Sequence, residues 1–119
     1  MKLKLKHLKP IAEKYDMTYI EEDGIAHIMI PEKINIVDDD YEFLNVENDN
    51  QFSCAKHFGI ETLKDGTFGY KTTYFDYIET VEELETHIRN FLKFMEISKS
   101  FERSYKEQMK LNAAQEDFQ

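Results

Sequence analysis

The segment "MTYIEEDGIAHIMIP" (residues 17–31) sets the architecture of the whole chain. Its Asp23-Gly24 pair separates two runs rich in β-branched and aromatic residues, which is the strongest short-range signal for a β-hairpin. Pro31 ends the second run, because proline cannot donate a hydrogen bond to a strand ladder. Residues 25–30 have apolar side chains on both faces, so this second strand should lie inside the sheet.

Four further segments continue the predicted sheet toward the C-terminus. We expect the first of them to end near Val37, since a longer strand would bury Asp38 and Asp40 without partners. The aromatic residues of the last segment change sides between Tyr74 and Phe75, which predicts a β-bulge or the end of the strand there. The four segments are "KINIV" (33–37), "YEFLNV" (41–46), "FSCAKHFGIETL" (52–63) and "TFGYKTTYFDYI" (67–78), with turns at 38–40, 48–51 and 64–66.

A short helix is predicted before the hairpin. Its apolar residues are spaced as one helical face requires. Pro10 is tolerated in the first turn, where backbone N–H groups have no helical partner, so the helix should begin near His7. The apolar face consists of Leu8, Ile11, Ala12 and Tyr15.

A long helix is predicted after the sheet. "TVEE" (residues 80–83) has the capping-box pattern, and neither Gly nor Pro occurs after Gly69. The helix should therefore span residues 80–112, with a frayed tail at 113–119. We predict a single α+β domain over residues 1–119, in which residues 1–79 form a short N-terminal helix and a mainly antiparallel sheet of five or six strands.

The long helix has two apolar stripes. The first can cover the sheet, and the second is turned by about a quarter turn from it. One sheet cannot easily cover both, so the second stripe should complete the monomer core, form a homodimer or contact another protein. The first stripe contains Val81, Leu84, Ile88, Phe91, Leu92 and Met95; the second contains Phe94, Ile97, Phe101 and Tyr105.

The composition restricts the partners. The 119 residues carry a net charge of −9, and residues 21–55 alone hold ten acids and one lysine. Such a protein is a poor ligand for nucleic acid or an anionic membrane and favours a basic protein. The lone cysteine, Cys54, and the lack of a signal peptide or a membrane-length apolar run predict a cytosolic protein.

The acids of residues 21–55 cluster in or beside the predicted turns. They either keep the sheet soluble and protect its edges or form a surface that imitates the phosphates of a nucleic acid. A calcium loop in residues 38–49 is a weak alternative, because the glycine of the EF-hand loop is missing. The candidate contact residues are Glu21, Glu22, Asp23, Asp38, Asp39, Asp40, Glu42, Glu47 and Asp49.

No catalytic, cofactor or metal site is predicted. Cys54 and His57 have metal-like spacing, but residues three apart on a regular strand face opposite sides. His27 and His87 fit the core or its boundary. The last strand is rich in aromatic side chains, which are typical of core and cross-strand pairs but could line a ligand pocket or an interface: Phe68, Tyr70, Tyr74, Phe75 and Tyr77.

These observations favour a non-catalytic protein-binding module. We predict a small acidic inhibitor or modulator of a basic, nucleic-acid-binding protein, such as a DNA mimic or a phage inhibitor of anti-CRISPR type. One alternative is a dimeric structural or adaptor protein that uses the second stripe of the long helix. Another is a small-ligand-binding protein or enzyme that uses the aromatic strand.

Overall fold

The structure is a computed structural model that describes residues 1–34, 36–37, 41–47 and 51–117, with side chains as far as residue 111. It confirms the predicted α+β fold. Five antiparallel strands form one sheet in chain order, β1-β2-β3-β4-β5. The elements are α1 (Leu5–Lys14), β1 (Thr18–Glu22), β2 (Ile25–Met29), β3 (Glu42–Glu47), β4 (Gln51–Thr62), β5 (Phe68–Ile78) and α2 (Val81–Asp117).

The first hairpin forms as predicted. Asp23 and Gly24 both have positive φ angles, of 50° and 77°, as a type I′ turn requires. β2 lies between β1 and β3, as expected for an inner strand. It buries one face only, however, since Ala26 and Ile28 are buried whereas Ile25 is 46% exposed.

The strand predicted at residues 33–37 is wrong. Among its described residues, Lys33 lies in a turn and Ile36 forms a single parallel bridge with Tyr70, on the outer edge of β5. The Val37 N–H group donates to the Tyr70 carbonyl at 2.9 Å. Ile34 and Ile36 are both buried. The alternating isoleucines of the sequence therefore arise from contact with the core and not from pairing in a strand ladder. The turn predicted at 38–40 lies outside the described residues.

The predicted irregularity at Tyr74 and Phe75 is confirmed. Ala55 pairs with Phe75 and His57 pairs with Tyr74, so Lys56 is an extra residue on the facing strand. Phe58 pairs with Thr72, so Thr73 is an extra residue of β5, and in β3 Phe43 is an extra residue opposite β2. Bulges redirect side chains, which explains why the consecutive residues Phe43 and Leu44 are both fully buried.

The first helix begins at Leu5, so the predicted start near His7 is wrong. Pro10 lies inside the helix, where it removes the hydrogen bond that the Lys6 carbonyl would accept. Both residues are exposed, and solvent can hydrate that carbonyl. The predicted apolar face is correct, since Leu8, Ile11 and Ala12 are buried.

The second helix starts with the predicted cap. The Glu83 N–H group donates to Thr80 Oγ1 at 3.1 Å, and Glu83 Oε1 accepts from the Glu79 N–H group at 3.2 Å. The helix has 37 residues and is therefore about 55 Å long. It ends at Asp117, five residues beyond the predicted Asn112.

The first stripe of α2 packs on the sheet. Its buried members are Leu84, Ile88, Phe91 and Met95, and the stripe continues at Ser98, which is 2% exposed. Val81 is half-buried and Leu92 is 38% exposed, so the buried stripe is narrower than predicted. None of the described helices is long and apolar enough to cross a membrane.

Candidate functional site

Two of the predicted acidic clusters share one end of the sheet. Glu22 pairs with Ile25 at the start of β2, and β3 runs antiparallel to β2, with His27 opposite Asn45. The β1–β2 turn and Glu47, the last residue of β3, therefore lie at the same end of the sheet. The acidic end is the group of exposed residues Glu21, Glu22, Asp23 and Glu47.

The remaining predicted acids do not join this group in the described structure. Glu42 pairs with Met29 at the opposite end of β3. It is half-buried, and its Oε1 atom lies 3.3 Å from Nδ1 of His27. Asp38, Asp39, Asp40 and Asp49 lie outside the described residues.

The acidic end is bordered by positive charge. The Tyr77 hydroxyl donates to Glu47 Oε2 at 2.9 Å, and this bond raises the pKa of Tyr77. Tyr77 also lines a shallow cleft of about 1160 Å³, together with three lysines of the N-terminal segment, Lys2, Lys4 and Lys6. A partner that covers both the acidic end and this cleft would therefore contact carboxylates and lysines.

The second stripe of α2 divides between the core and the surface. Phe94 is half-buried and packs on Phe58 and Tyr70, with ring centroids 5.8 and 6.2 Å apart. Ile97 and Phe101 are 48% and 64% exposed. Tyr105 is 41% exposed, although its ring lies 6.0 Å from that of Phe68. The first residue of the stripe thus completes the monomer, and the others remain accessible.

Cys54 and His57 cannot act together. The bulge at Lys56 means that strand alternation does not separate them, but burial does, because Cys54 is fully buried and His57 is exposed. Burial raises the pKa of the Cys54 thiol to about 12, so it is protonated and weakly nucleophilic near neutral pH. Burial also lowers the pKa of His87.

The described residues offer no metal site of three or more His, Cys, Asp or Glu side chains. The aromatic residues of β5 do not form one pocket either. Phe68 and Tyr70 are buried, Phe75 is half-buried, and Tyr74 and Tyr77 are 50% and 52% exposed beyond the bulge.

A second concave region was not predicted from the sequence. It is a groove of about 930 Å³ between α2, the start of β5 and the segment after β2. Lys99 and Arg103 lie on its α2 side. Their spacing of four residues, which places two cations on one helix face, is the only sequence signal for it.

No family model matches the chain, and no curated protein or solved structure is significantly similar to it. Its function must therefore be inferred from these surfaces.

Proposed function

We propose that the protein is a non-catalytic protein-binding module, a small acidic inhibitor or modulator of a basic, nucleic-acid-binding protein. The contact would be the acidic end of the sheet. The observation that supports this proposal is the antiparallel strand order, which places Glu21, Glu22, Asp23 and Glu47, from two separate parts of the sequence, at one end of the sheet. DNA-mimic and anti-CRISPR inhibitors are the class of protein that this character suits.

The charge balance of the acidic end favours a basic partner. None of its four carboxylates takes part in an ion pair of the described residues. Their mutual repulsion is unfavourable in the unbound protein, and cationic side chains of a partner would relieve it. Complementary charge also guides two proteins together before they touch.

The test replaces the four carboxylates by amides, in Glu21→Gln, Glu22→Gln, Asp23→Asn and Glu47→Gln. The tagged protein captures partners from a lysate of its host, and mass spectrometry identifies them. We expect a basic nucleic-acid-binding protein that the variant fails to retain. Nucleic acid that binds this partner should compete with the wild-type protein.

A matched control removes four exposed carboxylates elsewhere, in Glu13→Gln, Glu32→Gln, Glu61→Gln and Glu107→Gln. It has the same net charge as the test variant and should retain the partner. Equal loss in both variants would show that net charge, and not the acidic end, determines binding. Capture that survives the first set of substitutions would exclude the acidic end as the contact.

A dimeric structural or adaptor role is the second candidate. The exposed apolar side chains of Ile97 and Phe101 favour it, because solvent-exposed apolar rows mark contact sites. Either role suits the cytosol, a reducing compartment in which the single Cys54 stays a thiol.

A further inference from the structure

The groove beside α2 has an apolar floor. Ile34, Phe68, Tyr70 and Met95 line it, and each is 9% exposed or less. Its residues come from three parts of the chain that meet only in the folded protein. An apolar floor of this kind suits the hydrophobic part of a small ligand.

The described residues at the rim of the groove carry a positive net charge, although the whole protein has a net charge of −9. Two of its four cations have carboxylate partners: Lys33 lies 3.5 Å from Asp16, and Lys106 lies 3.5 Å from Glu102. The other two, Lys99 and Arg103, have no ion pair or hydrogen bond within the part of the chain that the structure describes.

The two acids that line the groove do not neutralise Lys99 and Arg103. Glu102 already accepts a hydrogen bond from the Phe68 N–H group at 3.0 Å and pairs with Lys106. Glu96 is exposed and forms no ion pair with the groove's cations. Among the described residues that line the groove, four cations and two acids give a net charge of +2.

A buried hydroxyl group adds a polar atom beside this floor. The Tyr70 hydroxyl is inaccessible to solvent and has no hydrogen-bond partner among the described residues. Burial, together with the nearby charge of Glu102, raises the pKa of Tyr70, so its hydroxyl stays protonated and can donate a hydrogen bond. Buried polar groups in folded proteins usually have a partner, but an atom that water cannot reach is closed to a ligand as well, so this hydroxyl is not part of the site proposed below.

We propose that this groove binds a small amphipathic anion. The apolar body of the ligand would lie on Ile34 and Phe68, and its carboxylate or phosphate head would bind Lys99 and Arg103. The planar guanidinium of Arg103 can hold either head group through two parallel hydrogen bonds. This site is independent of the acidic end and of the protein-binding role proposed above.

Isothermal titration calorimetry with three ligands of equal chain length tests this inference. Dodecanoate and dodecyl phosphate, each below its micelle concentration, should bind with one site per chain. Dodecanol has the alkyl chain of dodecyl phosphate without its charge and should bind at least tenfold more weakly than that anion. Comparing the two anions identifies the preferred head group. Failure of both anions to bind, or equal binding of dodecanol, would overturn the proposal.

Two pairs of substitutions locate the site. The double variant Lys99→Gln/Arg103→Gln should bind the preferred anion about tenfold more weakly or worse, because hydrogen bonds to charged groups are lost. The control Lys93→Gln/Lys110→Gln has the same net charge change outside the groove and should bind as the wild type does. Equal loss in the control would assign binding to net charge and exclude the groove.

The acidic-end variant should bind the anion with unchanged affinity. The groove and the acidic end can therefore fail separately. If the acidic-end variant loses the partner but still binds the anion, the proposal for the groove stands. If the anion does not bind but the partner does, the proposed protein-binding role stands.

Discussion

At the scale of single residues, Tyr70 joins several parts of the structure. Its ring packs edge-on against Phe94, its backbone carbonyl holds Val37, and it pairs with Ile60 across the sheet. Its hydroxyl alone lacks a partner among the described residues. The ring and backbone thus serve the fold, whereas the hydroxyl does not.

Removing that hydroxyl should not weaken the fold. An unsatisfied buried polar group is unfavourable by about 1–3 kcal/mol, so Tyr70→Phe should leave the free energy of unfolding unchanged or raise it by about 1 kcal/mol. Urea denaturation without ligand measures this. The control Tyr74→Phe, at a half-exposed position, should have no effect. A clear loss of stability in Tyr70→Phe would show that the hydroxyl has a stabilising partner.

At the scale of elements, the second half of α2 stands out, because all its described side chains from Lys99 to Leu111 are exposed or half-buried. The first half of α2 buries one stripe on the sheet, and its second half presents Ile97 and Phe101 on a different side. Burying apolar surface is worth roughly 25 cal/mol per Å², so a second copy that covers these side chains would be stabilised. The two copies could pair through the same row if their helices pack against each other.

We expect a dimer that Phe101→Glu converts into a monomer, because a carboxylate in an apolar contact is unfavourable. Multi-angle light scattering at micromolar concentration should give about twice the monomer mass of 14.2 kDa for the wild type. The control Ser100→Glu adds the same charge at an exposed neighbouring position and should remain dimeric. A monomeric wild type that Phe101→Glu leaves unchanged would remove the dimer from consideration.

Local signals made some elements predictable. The Asp23-Gly24 turn and the Thr80 cap depend on residues close in sequence, and both form as expected. The prediction of a strand at 33–37 failed because burial of both Ile34 and Ile36 also arises where a loop packs on the core. The groove could not be predicted, because its walls come from segments more than 20 residues apart in the sequence, and only the fold places them together.

At the scale of the whole molecule, charge is distributed unevenly. The acidic end lies at one end of the sheet, with the lysine-lined cleft near Tyr77, and the groove beside α2 is positive. The residues of the acidic end were identified from the sequence. Their grouping was not, because it requires the strand order and register. A partner would therefore encounter separate regions of opposite sign.

Association through the acidic end should depend on salt. The screening length falls from roughly 10 Å at 0.1 M to 3 Å at 1 M salt, so exposed charges attract less as salt rises. The association rate with the captured partner should decrease as the salt concentration rises. The variant with the four amide substitutions should associate more slowly, and its rate should change less with salt. Surface plasmon resonance measures both, with circular dichroism as the folding control. An association rate that neither salt nor the substitutions change would show that these acids do not guide binding and serve only to keep the protein soluble.

The length of α2 also determines how the protein should melt. The Sδ atom of Met109 lies 3.5 Å from the position that a Cβ at Gly66 would occupy, beside the tip of the β4–β5 hairpin. The helix continues to Asp117, two turns beyond that contact. Such a short helical end is marginal in water without packing. Warming should therefore unwind it gradually, giving a sloping helical signal before the sheet unfolds in one cooperative step.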